Sequence, residues 1–245
     1  MGPSEQDVVV VGGGVAGLMA ATYTARHDFE TLVFDTGESI LRRNAHLENV
    51  PGFPAGINAR LWLELLGEQA ERAGATITEA AVTSVTEPET GTFRVETDGS
   101  ETVETTRAIL ASKNDVSYLE VDGVGVIDRG KTFVDVDERG RTGVTGLYAA
   151  GRLAEKPHQA AVCAGHGAEV AVTLLEDAEV GFYHDWVAPE GYFSGRGREI
   201  PPGCEEIDAA EWERREQESL ESMRERLADP DLERPEQHPS VVDGE

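Results

Sequence analysis

The chain has 245 residues, a formal net charge of -26 and a pI of about 4.5. That leaves room for one large domain or two small ones, and it excludes nucleic acid and anionic membranes as partners, because so negative a surface repels both. Acidic residues run along the whole chain and lysine is scarce, the pattern of a surface kept hydrated and screened in concentrated salt, so a salt-loving source is expected. No apolar run approaches a membrane span and the N-terminus lacks a basic, apolar signal pattern, so a soluble cytoplasmic protein is expected.

In chain order, the first predicted element is a buried parallel strand over Val8–Val11, uncharged and β-branched. It runs into Gly-x-Gly-x-x-Gly. Gly12 can make the tight turn, Gly14 lets backbone approach a pyrophosphate, and Gly17 lets the following helix pack on the strand. That helix continues through Leu18 to Arg26, with its free N–H groups and positive dipole end facing the phosphates; Val15 and Ala16 belong to the same cofactor-binding turn. The next strand, Thr31–Phe34, ends in Asp35, 18 residues beyond Gly17, where a carboxylate can accept hydrogen bonds from both ribose hydroxyls. Thr36 and Gly37 follow in place of a basic residue, which argues against a 2′-phosphate. The turn therefore takes the ADP half of FAD or NAD.

A Pro/Gly-punctuated loop over 49–57 leads to a helix over 59–73, N-capped by Asn58 and stopped by Gly74. Strands are expected over 75–85, 92–97 and 102–111, with Asp98-Gly99 as a hairpin turn, and a short strand and turn over 131–137. A buried strand over 146–151 precedes a helix over 157–176, in which Gly165 and Gly167 face a close neighbour. Residues 1–180 form the main domain and 181–228 an acidic helical extension, either packed on its own domain or meeting a partner; the Pro-rich acidic stretch 229–245 is expected to be disordered. Cys163 and Cys204 are the only cysteines, no Cys-x-x-Cys occurs, and no metal site is expected.

Three segments together resemble the FAD domain of the thioredoxin reductase family: Gly12–Leu18, then Glu48-Asn49-Val50-Pro51-Gly52-Phe53-Pro54, then Gly146–Gly151 leading into His158-Gln159-Ala160. The resemblance implies an α/β, FAD/NAD(P)-binding Rossmann-like three-layer domain with a small β-meander and the helical extension. It places Asn49 beside the flavin and the backbone at Gln159-Ala160 against the isoalloxazine pyrimidine, where a helix N-terminus favours negative charge. The departures matter as much. Full-length relatives carry a second, NADPH-binding domain with a redox Cys pair, and between Ala111-Ser112-Lys113 and Val121 this chain has no room for it. Relatives also read Ala-Thr-Gly at 111–113, and Ala-Gly-Asp where this chain has Ala150-Gly151-Arg152. Arg152 cannot accept the hydroxyl proton of that Asp, but its guanidinium suits a pyrophosphate.

The expected function is that of an FAD flavoprotein oxidoreductase relying on an electron-donor protein or a directly bound reductant, with a small-molecule or protein disulfide as substrate class and a homodimer left open. An NAD-dependent dehydrogenase and a non-catalytic dinucleotide-fold scaffold are the alternatives. Cys163 and His158 are the weak catalytic candidates. A thiolate near a helix N-terminus could react at the flavin, although a small buried residue in a close helix contact explains Cys163 as well. His158 could donate a proton or be a surface or capping histidine. Cys204, among acids, is inert unless it pairs with Cys163.

Overall fold

The chain enters as β1 (Ser4–Gln6), and one residue later four valines, 0–4 % exposed, form β2 (Val8–Val11). The computed structural model describes residues 4–181, 184–228, 234–237 and 241, so most of the expected disordered stretch 229–245 lies outside the described residues. Two compact units result, residues 1–174 with 233–245, and residues 175–232. In the first unit, β2 is followed by α1 (Val15–Arg26), β3 (Thr31–Asp35), α2 (Ala59–Ala73) and β4 (Thr76–Glu79). The Asn58 side chain accepts from the N–H groups of Arg60 and Leu61, and Gly74 ends α2 in the left-handed conformation, as the sequence indicates.

The strands expected over 75–85 and 102–111 each divide between two sheets. β4 stops at Glu79 and β5 (Val82–Glu89) starts a second sheet with β6 (Thr92–Thr97) and β7 (Thr102–Thr105); β8 (Ala108–Leu110) then returns to the first. At the second break the Thr105 hydroxyl donates to Arg107 O and accepts from Arg107 N–H, turning the chain between layers. A uniform alternation of apolar and polar residues shows no such change of sheet, because both layers share period 2. The unit continues with β9 (Leu119–Glu120), β10 (Val126–Asp128), β11 (Thr132–Val134), β12 (Leu147–Ala149) and α3 (Ala160–Asp177).

The first sheet has the order β12-β8-β2-β3-β4 and is parallel throughout. Alternation within β2 divides the core. Val8 and Val10 pack with Leu18, Ala21, Leu66, Ala70 and Val170 from the three helices, whereas Val9 and Val11 pack with Phe93, Val95 and Val103 of the second sheet. That sheet runs β1-β7-β6-β5-β9, antiparallel in its centre. Helices, parallel sheet and meander sheet make the three layers.

In the second unit β13 (Trp186–Pro189) pairs in parallel with β14 (Cys204–Ile207), and α4 (Ala209–Ala228) follows. The Glu206 carboxylate accepts from the N–H groups of Gly191, Phe193 and Ser194 and from the Ser194 hydroxyl, which holds its pKa down to about 2. Asp208 accepts from Glu211 N–H at the start of α4. Cys163 and Cys204 are both free thiols.

Candidate dinucleotide site

At the carboxyl ends of β2, β3 and β8 lies a cavity of about 590 Å³, within the range of cofactor sites. Its floor is the glycine turn. Gly12 has φ +109°, and a Cβ there would stand 2.8 Å from Ala111 O; a Cβ on Gly17 would stand 1.9 Å from Gly12 O. Gly17 thus serves the packing of α1 on the turn and does not line the cavity, whereas Gly12, Gly14, Val15 and Ala16 do. A Cβ on Gly14 would meet only Ser39 Oγ, at 3.8 Å, so backbone faces open space there. Gly14 is also the N-cap of α1 and brings no side-chain cap, leaving the first-turn N–H groups for an anion. A feature the fingerprint reading missed is Gly13: a Cβ on it would sit 2.4 Å from the Asp35 carboxyl carbon, so its bareness seats the acid at the end of β3.

The opposite part of the cavity is lined by Asn49, Arg152, His158, Gln159, Ala160 and Cys163. Asn49 Nδ2 donates to Gln159 Oε1 at 2.9 Å, joining two segments 110 residues apart in the chain. Gly151 lies behind this wall at φ +64°, where a Cβ would be 2.6 Å from that of Ala16, and its N–H donates to His166 Nδ1 at 2.9 Å. Burial and the charge of Lys156 push the His166 pKa down to about 4, so the ring is neutral and its Nδ1 is the acceptor. Arg152 donates to Lys156 O at 2.9 Å and lies 4.6 Å from the centre of the Phe133 ring.

Burial raises the pKa of the Cys163 thiol, and its Sγ donates to Pro157 O, so at neutral pH this group is a thiol rather than a thiolate. Burial, then the charges of Lys113, Arg152 and Lys131, lower that of His158, which favours a neutral ring that accepts rather than donates a proton. Gly167, expected to face a close neighbour, does so: a Cβ on it would be 2.1 Å from Ala16 O. Gly165 instead faces open space.

Two residues that shape the site carry no signal in the sequence. Tyr118, 4 % exposed, shares a 2.6 Å hydrogen bond with Ser112 Oγ and fixes the turn before Lys113. Arg60, 2 % exposed, donates to Arg42 O, Asn44 O and Ala45 O, tying down the loop beside the cavity. Within an amphipathic helix an arginine reads as solvated; only tertiary structure brings three carbonyls to it. Arg60→Ala is expected to cost about 2 kcal/mol, measured by chemical denaturation, and an unchanged midpoint would remove the role assigned to it.

A parallel sheet with a glycine turn, an acid ending the second strand and a cavity across the strand ends defines a dinucleotide-binding α/β protein. The model of the family described as Pyridine nucleotide-disulphide oxidoreductase matches residues 6–133, and the chain belongs to that family. Among curated relatives, it is 36 % identical over 110 residues to a thioredoxin reductase of Streptomyces clavuligerus, covering 44 % of this chain and 34 % of that protein. It is also 36 % identical over 98 residues to NADPH-dependent thioredoxin reductase 3 of Arabidopsis thaliana, covering 38 % of this chain and 18 % of that protein. The chain thus spans about a third of the first relative's length and under a fifth of the second's.

Among solved structures, a thioredoxin reductase from Gloeobacter violaceus superposes with a TM-score of 0.65 at 18 % identity, over 76 % of this chain and 99 % of that one. A ferredoxin-flavin thioredoxin reductase from Clostridium acetobutylicum gives 0.58 at 17 % identity, over 73 % and 99 %. At these identities the likeness establishes the shared fold. Members of this family are FAD-binding flavoproteins. The cavity fits FAD: bare backbone and uncapped N–H groups where an anion would lie, and a carboxylate for the ribose.

Proposed function

We propose that the chain is a flavoprotein oxidoreductase with a single dinucleotide site, which takes electrons from a docked partner or from a reductant bound directly against the flavin. The observation that carries this reading is the continuity of one cavity from Asp35, past Gly12–Ala16, to Asn49, Gln159 and Ala160. Bound FAD supplies hydride or electron transfer. Asp35 holds the adenosine ribose, and the N–H groups at the start of α1 take the pyrophosphate. Asn49, held by Gln159, borders the flavin, and the N-terminus of α3 favours negative charge beside it. Neutral His158 at the mouth accepts, rather than donates, a hydrogen bond or proton. The substrate class is a small-molecule or protein disulfide.

In the same reading, residues 1–180 are the FAD domain, 181–228 an appended helical unit, and the acidic surface belongs to a cytoplasmic protein of a salt-loving organism. The visible spectrum of protein purified in high salt tests the proposal, with flavin bands expected. Repeated colourless preparations that also fail to take up added FAD would sink it, and a colourless protein that binds NAD would make it a dehydrogenase. Asp35→Ala should weaken FAD binding by about ten- to hundredfold, the value of hydrogen bonds to a charged acceptor. Flavin fluorescence quenching would report it, and an unchanged affinity would remove the ribose role.

A further inference from the structure

The chain contains three lysines against 47 acidic residues: Lys113 lines the cavity, Lys131 acts on both Lys113 and His158, and Lys156 ends the turn that carries Arg152. Lys113 and Lys131 are brought together by Asn114 Nδ2, which donates to Thr132 O at 2.9 Å. Phe133, two residues beyond Lys131, lies under the Arg152 guanidinium, and Arg152 in turn donates to Lys156 O. Three segments are thus tied into one crescent of positive charge, Lys113, Lys131 and Arg152, which Lys156 continues, with exposed Arg43 acting on Lys113 and His158 beside them.

The crescent is not neutralised from within. Among the described residues none of the three lysines forms an ion pair. Carboxylates on the same segments are engaged elsewhere: Asp115 accepts from the N–H and hydroxyl of Ser117, Asp128 accepts from Gly130 N–H, and Glu155 pairs with Arg129 at 3.0 Å. Lys113 is held at φ +65°, a conformation that disfavours a side chain, so the ammonium is placed there at a conformational cost. Only Lys113, Arg152 and His158 line the cavity; Arg43, Lys131 and Lys156 lie outside it, so the charge extends past the reach of a cofactor filling that space.

We propose that this crescent is a docking surface for a small acidic electron-carrier protein, whose carboxylates seat against Lys113, Lys131 and Lys156 at the mouth of the flavin cavity. The proposal rests on the reading that the flavin receives electrons from a partner. In a chain that otherwise repels acidic surfaces, a local cluster of cations selects and orients such a partner, and it acts mainly on the rate of encounter. Cations spread over three segments, with Lys113 and Lys131 exposed and Lys156 half-buried, suit a broad protein face better than one small anion.

The test uses the full FAD-loaded chain and, as probe, an acidic two-iron two-sulfur ferredoxin, with association rates measured over a salt series. Lys131→Glu and Lys156→Glu, neither of which lines the cavity, are made singly and together. Arg72→Glu, exposed in the last turn of α2 and so at the opposite edge of the sheet, is the control. The double variant is expected to associate about tenfold more slowly at low salt and with a shallower salt dependence, while Arg72→Glu stays near the parent. An equal loss in Arg72→Glu, no loss in the double variant, or no association of the parent chain overturns the docking surface. So does a double variant whose only defect is weaker FAD uptake, because the cations would then serve the cofactor. A parent chain that holds no FAD yet binds the ferredoxin through these lysines supports the surface and removes the flavin reading instead.

Discussion

Gly17→Ala is expected to lower the unfolding free energy by about 3 kcal/mol or more, and Gly167→Ala by a similar amount. In each case the added methyl would stand about 2 Å from a backbone oxygen, Gly12 O at 1.9 Å for the first and Ala16 O at 2.1 Å for the second. Backbone cannot move aside as a flexible side chain can. The two contacts form a stack: α3 rests on α1 at Ala16, and α1 rests on the turn after β2. Displacing either layer disturbs the first-turn N–H groups that face the cavity, so FAD affinity should fall together with stability. Gly165→Ala supplies the contrast. It sits two residues away in the same helix, exposed and with open space around it, and it should stabilise by about 0.5–1 kcal/mol through helix propensity and reduced unfolded-state freedom. Denaturant titration of the three variants decides the matter; a Gly17→Ala protein as stable as the Gly165→Ala protein would contradict the packing described here.

The second large effect is a pH dependence carried by His166. Its folded pKa, about 4, lies below its ordinary value of 6.5, so between these limits the unfolded chain binds more protons. Stability from this group is therefore complete above the ordinary value and is lost as pH falls through the window toward about 4. The size is roughly 3 kcal/mol. Protonation would cost the bond in which Gly151 N–H donates to Nδ1, and with it the left-handed turn behind Arg152. Many carboxylates also titrate in acid, so the informative quantity is the difference between the parent and His166→Asn, which keeps an acceptor but does not titrate. The parent should lose more stability than the variant on going from neutral pH to mildly acidic pH. Parallel curves would show that the histidine does not carry this linkage.

What could be read from the sequence is what depends on neighbours in the chain. Val8–Val11, the glycine turn, Asp35 and the Asn58-capped helix each announce themselves by local chemistry, and the structure places them as that chemistry requires. Gly14 and Asp35 could be expected to share one cavity for the same reason, and both line it. The divided strands could not be seen, because a chain passing from one sheet to the next keeps its alternation. Nor could Arg60, His166 or Tyr118, since each acts on backbone or side chains brought to it by folding. Cys163 and His158 are reactive residue types in any sequence, but the burial of one and the cations around the other emerge only in three dimensions.

The short first strand has a role beyond its three residues. Asp7 alone separates β1, which pairs in parallel with β7 in the meander sheet, from β2 at the centre of the parallel sheet. Among the described residues β1 is the outermost strand of its sheet, so it covers the hydrogen-bonding edge of β7 and presents Ser4, Glu5 and Gln6 in its place. A polar strip of this kind is a guard against self-association: a neighbouring molecule seeking an unpaired strand meets a brief charged ribbon rather than the valine-bearing one beneath it.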